Sequence, residues 1–182
     1  MTSMHHVCID PKKVILDGVQ LATLSQGEDM LKELYRQHVS DYPKFFKMDG
    51  LCKLGFMASE LLLEAEGAER FTPREDRAVV LVGSHASQCS DEAFTATISG
   101  EWFPSPAVFV YTLPNIVTGE IAMRNHYYGE TAYYVLPTKN WEGVEQLIRT
   151  MMTDNSIRSV MGGWIDYKGK DNFEANIQLW KN

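Results

Sequence analysis

Five consecutive apolar residues, Ala78-Val79-Val80-Leu81-Val82, closed by Gly83, constrain this chain more than any other segment. A strand with one wet face alternates apolar and polar residues, so an unbroken apolar run reads as a strand buried on both faces. Such a strand needs a covering layer on each side, which places the chain in the α/β class. The flanking segments agree. Val7–Ile9 and Val14–Leu16, separated by Asp10-Pro11-Lys12-Lys13, read as a hairpin whose second run ends at Asp17-Gly18. Met30, Leu31, Leu34, Tyr35 and His38 fall at helical spacing between Glu28 and Val39. Ser25 and Glu28 match a capping box before that helix, and Tyr42-Pro43 follows it. Leu51, Leu54, Ala58, Leu61, Leu62 and Ala65 define a second helix, ended by Gly67.

Beyond the apolar run, Ser84 to Ser99 carries no clear period. Pro104 and Pro106 predict extended backbone around Ser105. Pro114 suits a helical first turn, with Ile116, Val117, Ile121 and Met123 on a helix to Asn125. Thr131–Val135 reads as a strand, and Trp141, Val144, Leu147, Ile148 and Met151 as a helix. Val160-Met161 enters another strand with Gly162-Gly163 in or beside it, and Asn176 to Trp180 forms a last one. No internal repeat or interdomain linker interrupts the 182 residues, so a single domain is expected.

Composition removes several functions. A net charge of −7 does not suit a general nucleic-acid binder or a basic membrane-surface protein. Tyr127, Tyr128, Tyr133 and Tyr134 lack the interleaved cations of a base-stacking surface and fit core packing or a subunit interface better. No apolar run is long enough to span a bilayer, and the start lacks a signal-peptide pattern. Three sparse cysteines, Cys8, Cys52 and Cys89, make no disulfide framework and fit a reducing cytoplasm. His5 and His6 are the one close histidine pair, and neighbours on a strand face opposite ways, so no metal site is expected. No glycine-rich dinucleotide or P-loop pattern occurs, and no cofactor is expected.

Three residues after the apolar run carry possible nucleophile chemistry. Ser84 follows the strand as an elbow serine does, without the G-x-S-x-G pattern. His85 stands next to it, and Cys89 lies four residues on, where one helical turn would bring thiol and imidazole together.

Taken in order, the segments resemble the N-terminal half of a β-ketoacyl synthase (3-oxoacyl-ACP synthase), of the thiolase-like superfamily. Phe46-Lys47-Met48-Asp49 before the second helix is similar to that family's helix entry, and Gly83-Ser84 to the loop after its strand. Ser105-Pro106 followed by Leu113-Pro114-Asn115 and Gly119-Glu120-Ile121-Ala122 is the most specific stretch. Gly129-Glu130 stands where the family has Gly-Pro, and Val160 to Trp164 resembles its Gly-Gly strand. The resemblance spans Phe46 to Asp166 and rests on order and spacing.

It implies an α/β fold, one half of a thiolase-like unit with a mixed sheet and helices on its faces. It also implies a nucleophilic cysteine at Thr138, after Leu136-Pro137, where this chain has a threonine, and Asn115 as a structural residue nearby. The family's two active-site histidines lie in a C-terminal half with no counterpart here, and no histidine follows His126. A non-catalytic accessory protein of a fatty-acid or polyketide-type condensing system is therefore expected, analogous to chain-length-factor subunits. Half of such a unit is expected to expose an apolar face. The resemblance further implies pairing through Thr131, Tyr133, Tyr134 and Val135, as a homodimer or with a complete ketosynthase, and an acyl carrier protein as a further partner. Two other readings stand beside it. One is an acyltransferase or thioesterase using Cys89, Ser84 or Thr138 with His85. The other is an acyl-binding module with an enclosed pocket.

Overall fold

The computed structural model describes residues 1–99 and 103–182. Strand β1 (Thr2–Asp10) turns through Asp10, whose carboxylate accepts from Lys12 N and Lys13 N, into β2 (Lys13–Leu16). A two-residue turn then leads to β3 (Val19–Gln20). Both turn residues have positive φ, Asp17 at 50° and Gly18 at 82°, as a type I′ hairpin demands. Helices α1 (Gly27–His38) and α2 (Gly50–Glu66) follow, then β4 (Arg77–Gly83). After β4 come α3 (Gln88–Ile98), α4 (Pro106–Phe109), α5 (Ile116–Asn125), β5 (Thr131–Val135) and α6 (Trp141–Met151). The chain closes with β6 (Ser159–Gly169) and β7 (Asn172–Lys181).

The seven strands form one mixed sheet in the order β3-β2-β1-β7-β6-β4-β5. Strand β4 runs parallel to both β5 and β6, and the remaining pairs are antiparallel. Every residue of β4 is buried. Val79 and Leu81 join a core with α1, α2 and α5 on one face, while Ala78, Val80 and Val82 join a second core under α6. The apolar run is thus a strand closed on both sides.

Two local expectations change. The Ser25–Glu28 capping box does not form: Gln26 is the N-cap of α1 without a side-chain bond. Glu28 instead takes Lys53 Nζ and the Tyr167 hydroxyl, both at 2.8 Å, because a half-buried charged partner outweighs a local amide. Glu33 receives the Leu24 and Ser25 amides. Ser105 is extended, as expected, and caps α4, which Pro106 opens. Pro114 lies just before Asn115, the N-cap of α5, rather than inside the helix.

The expected apolar face does not lie over α6. The outward side of α6 is polar, with Glu142, Gln146, Arg149 and Thr150 exposed. Exposed large apolar side chains include Phe109, Val110, Leu113, Met123, Tyr128 and Val135, on or near α4, α5 and β5.

One buried ion pair fastens the start of β4. Arg77 gives both terminal nitrogens to Glu66, at 2.8 and 2.7 Å, its Nε to Ser159 and a further bond to the Tyr127 hydroxyl. Burial alone would raise the Glu66 carboxyl, but Arg77 and Lys181 pull it down to about 2. A depressed carboxylate stabilises the fold above its unfolded value and loses that contribution as pH falls through the folded value. Glu66→Gln is expected to cost about 3 kcal/mol at neutral pH. In denaturant titrations the deficit should shrink as the pH is lowered from the ordinary glutamate range towards 2.

Candidate functional site

The carboxyl ends of the parallel strands, where α/β sheets present their sites, bring Ser84, His85 and Asp166 together. Asp166 is buried near the end of the regular β4–β6 pairing. Its Oδ1 accepts the Ser84 and His85 amides at 2.8 and 3.0 Å, and its Oδ2 accepts the Ser84 hydroxyl at 2.6 Å. Burial would raise this carboxyl, but those three donors and the nearby imidazole hold it below the usual aspartate value. His85 Nδ1 lies 2.7 Å from Ser84 Oγ and 3.5 Å from Asp166 Oδ2. Serine has one hydroxyl proton, and it goes to Asp166. Ser84 Oγ therefore accepts from Nδ1, so Nδ1 carries a ring proton. This direction is opposite to that of a serine nucleophile, which donates to its histidine. Ser84 thus links imidazole to carboxylate. Nothing in the sequence pattern marks Asp166, which lies 82 residues from Ser84 and reaches it through strand register.

Cys89 sits in the first turn of α3, four residues beyond His85. Its Sγ donates to the Tyr167 carbonyl at 3.6 Å and makes no direct hydrogen bond with His85. Burial raises the thiol's pKa, with Glu92 and Asp49 adding to the effect. The two side chains nevertheless line one shallow hollow of about 170 Å³. On the other side of Cys89 lies a groove of about 330 Å³ walled largely by Met48, Ala93, Val108 and Tyr111. Both are open to solvent, so they do not match the enclosed pocket of an acyl-binding module. The buried Cys52 is raised well above the usual thiol value by desolvation, with Asp49 adding to it.

A thiol–imidazole contact occurs instead on β1, at a pair the sequence pattern does not mark. Cys8 Sγ is 3.2 Å from His6 Nε2, which also meets Asn176 Oδ1 at 2.7 Å, on the sheet face away from α1 and α2. His5 points the other way, to Asp17, so the pair does divide across the strand. Among the described residues no cluster of three metal-ligating side chains occurs.

Thr138 is an exposed residue in the bend between β5 and α6. Asn140 caps α6 by accepting the Gly143 amide at 3.1 Å, so Thr138 lies two residues before the cap and outside the helix's first turn. Among the described residues its hydroxyl has no base. Asn115, by contrast, is a helix cap whose carbonyl accepts from Thr118 Oγ1.

Strand β5 is an edge: it pairs with β4 on one side and with no described strand on the other. Tyr134 and Val135 are 38% and 56% exposed. Tyr133 turns inward, its hydroxyl on the Ile165 carbonyl at 3.4 Å, and burial drives its pKa well up. It therefore contributes backbone rather than side chain to the open edge.

Replacing Asp166 by Asn would weaken three charge-assisted bonds that fix the Ser84–His85 loop. A stability loss of about 2 kcal/mol is expected in denaturant titration. Hydrogen exchange at the Ser84 and His85 amides should speed up, while amides in α1 hold.

No protein-family model matches the chain, and no curated protein does. Among solved structures, the chain is similar to one described as the ishigamide ketosynthase/chain length factor. The TM-score is 0.69 at 14% identity, over 99% of this chain and 61% of the other. A second is described as the ketosynthase ApeO in complex with its chain length factor ApeC from Xenorhabdus doucetiae. There the TM-score is 0.60 at 10% identity, over 100% of this chain and 80% of the other. The chain thus spans less than two thirds of the first of these proteins. Identities this low speak to architecture alone: this chain has an α/β fold like that of the ketosynthase and chain-length-factor structures it is similar to.

Proposed function

We propose that the chain is an accessory ketosynthase-like protein that performs no condensation itself and pairs through β5 with a complete ketosynthase. A fatty-acid or polyketide-type pathway is the setting, and an acyl carrier protein is the further partner. The observation that carries the reading is the open edge. Thr131-Ala-Tyr-Tyr-Val135 holds no charge and no proline, the usual devices by which an edge strand avoids pairing. Exposed Met123 and Tyr128 line a surface hollow with Thr131 and extend that edge beyond the strand itself.

The chemistry at the family's nucleophile position supports the same reading. A threonine hydroxyl without a base is a poor nucleophile, and Thr138 also lacks a helix N terminus to stabilise charge. Condensation needs an acyl-enzyme at that position, so the pairing surface is the part of the resemblance that this chain retains. The similar structures described as ketosynthase and chain length factor offer a template for such a pair.

Co-expression with the complete ketosynthases of the source organism tests this, followed by sizing with light scattering. A stable one-to-one complex is expected, and Val135→Lys should weaken it at least tenfold, with little change in thermal stability of the isolated chain. Among the other outcomes, a monomer that co-purifies with none of them would overturn the reading, and a homodimer alone would remove the ketosynthase partner.

A further inference from the structure

We infer that the hollow at the amino end of β5 is a socket that sets partner choice, and that it seats the loop leaving the paired strand of the partner ketosynthase. The inference rests on the β5 pairing proposed above and names what lies beyond the strand. The strand alone is too small. Its five residues supply only part of the area, about 800 Å², that each partner buries in a stable pair. The hollow, of about 500 Å³, is walled by Gly119, Met123, His126 and Tyr128 and shares Thr131 with β5. Met123 and Tyr128 are 59% and 69% exposed. Thr131 pairs with Val79 and Val135 with Gly83, so the hollow lies at the opposite end of β5 from the Ser84–Asp166 cluster.

Two of its walls break local rules. Gly119 lies inside α5, where a Cβ would meet no atom within 4 Å. Nothing within the described chain crowds that position, and glycine weakens a helix interior relative to alanine. His126 ends the same helix in the left-handed region, at φ 56°, a place helices most often give to glycine. One position is thus emptied and the other filled, each against local preference, and both line one hollow. Departures of this kind mark sites under another demand. Here the demand is recognition: the bare backbone at Gly119 leaves depth for an incoming side chain, and the His126 imidazole offers a polar contact to the loop that carries it.

Strand direction identifies the occupant. Two chains of one fold that join by the same edge do so about a two-fold or near two-fold axis, which makes the strands antiparallel. Strand β5 runs away from the hollow, from Thr131 to Val135, so the partner's strand runs towards it. The residues after that strand's carboxyl end then lie over the hollow. No Asp, Glu, Lys or Arg side chain lines it, so a charged occupant would be buried without a partner. The walls of Met123 and Tyr128 suit one bulky apolar side chain instead, with His126 and the Thr131 hydroxyl left for its backbone.

The test titrates the full chain against the ketosynthase that co-purifies with it, by calorimetry. Gly119→Leu, which fills the hollow, is expected to weaken pairing at least tenfold. The same change should raise the thermal midpoint of the isolated chain by roughly 2–4 °C, because leucine is the better helix former. His126→Gly should weaken pairing roughly 3–10-fold, the scale of one hydrogen bond, without lowering that midpoint. Gln146→Leu, on the exposed side of α6, should leave the affinity unchanged. A photo-reactive benzophenone side chain at Met123 should cross-link to the residues that follow the ketosynthase's paired strand. Pairing indifferent to Gly119→Leu, or a cross-link to another part of the ketosynthase, would overturn the socket while pairing through β5, read by Val135→Lys, still stood. A lower midpoint with Gly119→Leu would show that the glycine serves the fold and would also overturn it. If no complex forms, or only self-pairing, the ketosynthase falls as partner and this occupant falls with it.

Discussion

A strand with both faces closed to water must be covered twice, and β4 imposes that requirement on everything around it. Helices α2 and α5 supply one cover and α6 the other. The entry to the strand is where charge meets the core, because Arg77 is buried there and a buried guanidinium must be paired. Its partners come from α2 (Glu66), the segment leading into β5 (Tyr127) and the first residue of β6 (Ser159). One side chain therefore registers three neighbours of the central strand before its apolar residues are packed.

The parts legible in the sequence are those whose signal is periodic and local. The hairpin of β1 and β2, the helices α1, α2, α5 and α6, and the strands β4 and β5 all carry an apolar pattern with its own start or stop. Helix α3 carries none. It is held by tertiary bonds, Ser90 to the Asp49 carboxylate at 2.6 Å and Ser87 to the Thr112 carbonyl at 2.6 Å. Short polar residues are silent about such partners. The lost capping box has the same cause, since Glu28 has a cross-helix lysine available that no local pattern reveals. Asp166 is the sharper case: it is ordinary in sequence, and parallel register alone sets it against Ser84.

The direction of a hydrogen bond decides the chemistry at the strand ends. Serine, histidine and aspartate stand together, yet the serine proton faces the carboxylate and the imidazole donates to the serine. Composition of the cluster alone would suggest a hydrolase. Its wiring leaves the serine no role as attacker. The same wiring explains why the aspartate is both a structural clamp on two backbone amides and an orienting group for the ring.

The open edge of β5 has a further meaning for the life of the chain in a cell. An uncharged edge strand beside exposed apolar side chains is a template for any strand that meets it. A molecule whose β5 edge is left uncovered carries that template unshielded, exposed to chaperones, proteases and self-association.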